Sequence, residues 1–266
     1  MSFLKGSQQC SYVGVTDFTT YDQVEVAKRF IHKDSHRMLH VGAMMSYKTF
    51  HGIPTERKWE TIWLKPKGLQ KLFMKDPTVF NVLHWADYVT YPKTSSEDLI
   101  TACTLSGSGL SGLQLDMVWP HISLLEDVKK NFPHLSIILQ VSKIAINDSR
   151  KRGVTLLSDV LRYKDCADYI LVDYGMGSGR PFNPEEVLTV LGEVSKAFPE
   201  HSLAVAGGIG PETVHLLDPI LREYPKISFD AQGQLRRSGN ALHPIEMDRV
   251  KAYVRATTSL TAKYAG

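Results

Sequence analysis

Short apolar runs recur along this chain, and a segment with helical character follows each of them. The runs are Tyr12–Thr16, Met38–Met45, Val79–Trp85, Leu113–Trp119, Leu135–Val141, Tyr169–Val172, Leu203–Ala206 and Ile227–Asp230. Most are apolar at consecutive positions, the pattern of strands covered on both faces. The helical segments expected between them are Tyr21–Ile31, Gly68–Lys75, Ser95 to Leu105, His121–Asn131, Asp148–Tyr163, Glu185–Phe198, Glu212–Tyr224 and Pro244 to Thr258. Val24, Ala27, Phe30 and Ile31 form an apolar stripe in the first, and Ser95-Ser-Glu-Asp has the chemistry of a helix cap. Parallel strands need long crossovers, and strand–helix alternation supplies them. Eight such units in 266 residues predict an α/β protein of the (β/α)8 TIM-barrel class, one domain over residues 1–266. The rival, an open doubly wound sheet, usually has fewer units and a G-x-G-x-x-G first joint, which is missing here.

Composition narrows the functional classes. The net charge of +3 is spread along the chain, with no block of like charge suited to nucleic acid. No apolar run approaches the ~20 residues of a membrane span. The first residues lack an apolar signal core, and Cys10, Cys103 and Cys166 have neither metal-ligand nor disulfide spacing. The expectation is a cytoplasmic protein, monomer or homodimer, without a metal or other cofactor, whose partner is a phosphorylated small molecule. His40, His84 and His121 are scattered in sequence and read as structural. Ser46–Gly68 is long for a connection, which often marks function.

In a barrel of this kind the site lies at the carboxyl ends of the strands, and loops after strands seven and eight commonly hold phosphate. Gly207-Gly208, followed by Pro211-Glu-Thr, occupies the first of those joints, and Gln232-Gly233-Gln234 the second. Glycine there lets backbone N–H groups approach an anion. Gly177-Ser178-Gly179-Arg180 after strand six is suited to fold over a ligand, with Arg180 neutralising it. Asp173 ends an otherwise apolar strand and reads as a site acid; Asp17, Asp116 and Asp230 hold similar strand-end positions. Several acids at one mouth raise each other's pKa, which suits one of them to general acid work; a divalent metal is the other use of such a cluster.

These residues resemble phosphoribosylanthranilate isomerase. Asp173 with Gly177-Ser178-Gly179 and Phe182-Asn183 is similar to that family's acid and glycine-rich loop. Leu203 to Val214 resembles its strand-seven motif, and Phe229-Asp230 with Gly233 its strand-eight motif. Leu113-Gln114-Leu115 is similar to its Val-Gln-Leu-His. The match is good from Leu113 onward and thin before it. The resemblance implies an aldose–ketose rearrangement of the Amadori type on a phosphoribosyl arylamine, in tryptophan synthesis. An acid, here Asp173, opens the ribose ring, and a base removes the C2 proton. The family base is a cysteine at the first strand end. This chain has Thr16 and Asp17 there, and Asp116 in place of the strand-four histidine. Asp17 is the substitute base or an orienting group. The alternative is a catalytically altered or inactive phosphosugar-binding barrel outside tryptophan synthesis.

Overall fold

The computed structural model describes residues 10–54, 63–87, 93–117, 119–142, 145, 147, 149, 151–173 and 183–265. Eight parallel strands form a closed barrel in sequence order: β1 (Tyr12–Thr16), β2 (Met38–Ser46), β3 (Val79–Asp87), β4 (Gly112–Met117), β5 (Ser136–Ser142), β6 (Tyr169–Asp173), β7 (Ser202–Ala206) and β8 (Ser228–Ala231). β1 pairs with β8 through Val13–Phe229, Gly14–Asp230 and Val15–Ala231, which removes every sheet edge. The described α-helices are α1 (Tyr21–Lys28), α2 (Tyr47–Phe50), α3 (Pro66–Leu72), α4 (Ser96–Leu105), α5 (Ile122–Asn131), α6 (Leu156–Leu161), α7 (Pro184–Ala197), α8 (Asp218–Glu223) and α9 (Met247–Ala262). The fold is the expected (β/α)8 barrel.

Local chemistry explains where the helices begin and break. Thr20 and Ser95 each form a reciprocal capping box, at the starts of α1 and α4. The helix expected over Asp148–Tyr163 is interrupted at Gly153, whose φ of +71° leaves the helical region; a new start at Thr155, capping Ser158, opens α6. The helix expected over Glu212–Tyr224 is a 3-10 turn, Val214–Leu217, followed by α8, because Pro219 has no N–H to continue an earlier helix. Part of Ser46–Gly68 is helical, in α2 and the start of α3, while residues 55–62 lie outside the described set.

Strand alternation divides the interior in two. Outward residues such as Val15, Val41, Leu113, Leu139, Ile170 and Phe229 pack under the helices in the large core. Inward residues line the barrel. At its amino-terminal end Tyr12, Phe80 and Tyr169 pack together, with ring centroids 5.6–5.7 Å apart. Val82, Ile138, Leu171 and Ala204 belong to the same lining. This apolar base closes the bottom of the barrel, so the polar inward residues farther along the strands gather toward the carboxyl end.

Candidate functional site at the carboxyl end of the barrel

Two polar groups line that end. On one side Gln114 Nε2 donates to Gln140 Oε1 at 3.4 Å, and Gln140 Nε2 donates to Asp173 Oδ2 at 2.8 Å. Asp173 is thus held at the last residue of β6, nearly buried on the inner face. On the other side Thr16 Oγ1 lies 3.0 and 3.1 Å from the two carboxylate oxygens of Asp230 and donates to that group. Burial pushes the Asp230 carboxyl up to about 8; the Thr16 hydroxyl opposes this, and the charges of Asp173 and Asp17 add to it. A buried carboxyl so perturbed is a candidate functional group.

His40 and His84, far apart in sequence, meet inside the barrel with their Nε2 atoms 3.1 Å apart. Burial pushes His84 down to about 3 and holds His40 well below the ordinary imidazole range, with His84 beside it adding to the effect. Both imidazoles are therefore neutral. One ligand atom each from His40, His84 and Asp230 lies within 4.8 Å of the others, so these are the described side chains placed to hold a metal ion. Their sequence signal was a polar residue inside an apolar strand, at the inward parity: Leu39-His40-Val41 and Leu83-His84-Trp85. The same signal marks Gln114 and Gln140.

Asp17 has a different setting. It sits just past β1 with φ +81°, and its N–H donates to Gly42 O at 2.9 Å. Its carboxylate accepts from Arg236 Nη2 at 2.6 Å and Gln232 Nε2 at 3.1 Å, with both ion-pair side chains fully buried. Burial raises its pKa, with Arg236 and Gln232 opposing. Arg236 also donates to the carbonyls of Gln232 and His243, both at 2.6 Å. Asp17 and Arg236 together brace the segment after β8 that carries Gly233.

The glycine loops after β7 and β8 lie against each other. A Cβ on Gly210 would come within 2.3 Å of Gln234 Cβ, so only glycine permits that approach. Gly207 and Gly208 have φ of +100° and +68°. Thr213 Oγ1 accepts from Gly210 N and donates to Gly208 O, both at 2.8 Å, tightening the turn. Gly233 is buried at the start of a 3-10 turn, Gly233–Leu235. Gly177, Ser178, Gly179 and Arg180 lie outside the described residues.

These features define the chain as a (β/α)8 barrel with a polar mouth. No family model and no curated protein sequence matches it. Solved structures do. A protein of Aquifex aeolicus VF5 aligns with a TM-score of 0.53 at 13% identity, over 97% of this chain and 96% of its own. The carboxyl transferase domain of Rhizobium etli pyruvate carboxylase gives 0.53 at 11% identity, over 97% of this chain and 48% of that one. An endo-β-1,6-glucanase gives 0.54 at 11% identity, over 97% and 76%. At such identities the similarity is one of fold, and barrels of one shape host unrelated chemistries. Among the described residues no helix is long and apolar enough to cross a membrane.

Proposed function

We propose that this chain is an enzyme that rearranges a phosphorylated sugar derivative at the carboxyl end of its barrel, by an Amadori-type aldose–ketose isomerisation. The observation that carries the reading is Asp173: a nearly buried carboxyl at the tip of β6, oriented by Gln140, on the same rim as the glycine loops after β7 and β8. Phosphate would rest against Gly207, Gly208 and Gly233, where backbone can approach an anion closely.

Asp173, acting as general acid, delivers a proton to the ring oxygen, the C1–O bond opens, and nitrogen supplies the electron pair for a C1=N iminium. The Asp173 carboxylate then takes the C2 proton. The C2–H electrons form C1=C2 and the iminium electrons return to nitrogen, leaving an enol that tautomerises to the aminoketose. One carboxyl serves twice because Thr16, at the position of the thiol in the resembled family, is a hydroxyl engaged as a donor to Asp230. Asp17, bound by Arg236, is the orienting group of the segment after β8.

The test is conversion of phosphoribosyl anthranilate by wild type and Asp173→Asn, followed by NMR in D2O. Asp173→Asn is expected to lower turnover by roughly 10²–10⁴-fold, the usual range for a positioned acid or base, while phosphosugar affinity persists. Undiminished turnover would remove Asp173 from the mechanism. Wild-type binding without turnover would instead support a phosphosugar-binding barrel lacking the isomerisation, the reading that the missing thiol favours.

A further inference from the structure

We propose that His40, His84 and Asp230 bind a divalent transition-metal ion, zinc foremost, inside the barrel just below its mouth. The inference goes beyond the isomerase reading and holds for any reaction at this end of the barrel.

Backbone register makes the site. Gly14 on β1 pairs with His40 on β2 and with Asp230 on β8, so the two ligands flank a position without a side chain. A Cβ there would stand 2.8 Å from Asp230 Oδ1 and 2.9 Å from His40 Nδ1. Gly42 on β2 repeats the arrangement: a Cβ would stand 2.6 Å from Thr16 Oγ1 and 2.8 Å from His84 Nε2. Any larger residue at either glycine would intrude on the ligand atoms. Glycine inside a strand lowers its stability and marks a close approach. Here two glycines on adjacent strands open space around the same three side chains.

Ligand chemistry agrees. Two ligands at ~2.0–2.1 Å on a tetrahedral ion lie roughly 3.3 Å apart, and the two histidine Nε2 atoms are at 3.1 Å. Without an ion, one N–H···N bond is what the imidazoles can share. Two imidazoles and a carboxylate suit zinc and its neighbours rather than magnesium or calcium, which prefer oxygen. Three protein ligands also leave a position for water or substrate. Thr16, donating to Asp230, helps fix the orientation of the carboxylate ligand.

The experiment is metal uptake, which needs no substrate and is independent of Asp173. Protein stripped with a chelator is titrated with Zn²⁺ by calorimetry and with Co²⁺ by visible absorption. The expected result is one equivalent per chain, with cobalt d–d bands of a low-coordinate nitrogen and oxygen site. His84→Gln and Asp230→Asn should each weaken uptake at least 100-fold with an unchanged far-UV spectrum. Should either variant fail to fold, the wild-type stoichiometry and cobalt spectrum decide alone. Folded wild type that takes up no stoichiometric ion overturns the proposal, as does uptake indifferent to both substitutions.

Discussion

Among single residues, Arg236 has the clearest energetic role. Its guanidinium is buried against Asp17 and two backbone carbonyls, tying the end of β1 to the segment after β8. Removing one partner of a buried pair leaves the other charge desolvated and alone. Arg236→Ala should therefore cost about 3–5 kcal/mol, read as a lower urea midpoint. A loss below about 1 kcal/mol, the range of surface pairs, would mean that water already screens this one. Asp173 and Asp17 were both visible in the sequence as acids at strand ends. Their difference in setting was not, because it depends on an arginine more than two hundred residues away in the chain.

At the scale of elements, the break before α6 creates a local charge cluster. Asp159, buried within that helix, accepts from Ser149 Oγ at 2.7 Å and Arg162 Nη1 at 3.3 Å, and is paired with Arg152. Burial alone would raise its pKa, but the hydrogen bonds from Arg152, Ser149 and Arg162 and the charge of Arg152 outweigh it, and the net shift is downward. A carboxyl with a depressed folded pKa stabilises the fold above its unfolded pKa, about 3.9. That contribution is lost as pH falls through the folded value. Melting temperature followed from pH 7 to pH 2 should fall more steeply below about pH 4 in wild type than in Asp159→Asn. Parallel curves would show that the cluster is not what titrates. The helix start at Ser95 was legible because a cap is local chemistry. The break at Gly153 was not, since one glycine within helical spacing is compatible with either outcome.

For the molecule as a whole, closure of the barrel puts the outward strand faces under the described helices, and two of the three cysteines with them. Burial pushes Cys103 up to about 12 and Cys166 up to about 11. At pH 8 neither should react with a disulfide reagent faster than the native protein unfolds, while guanidinium should expose all three thiols. Fast modification of Cys103 would show that the α4 layer opens without global unfolding. By itself the sequence determined the repeated strand–helix unit and its number. Those follow from periodicity and from local turn chemistry, which act over a few residues. Only the tertiary structure decided that β8 closes on β1 and that Gly14 stands between His40 and Asp230. The meeting of His40 and His84 across 44 residues was decided at the same level. Inward parity can be read from a strand, but which inward residues touch depends on register and closure, and these are set by packing across the whole ring.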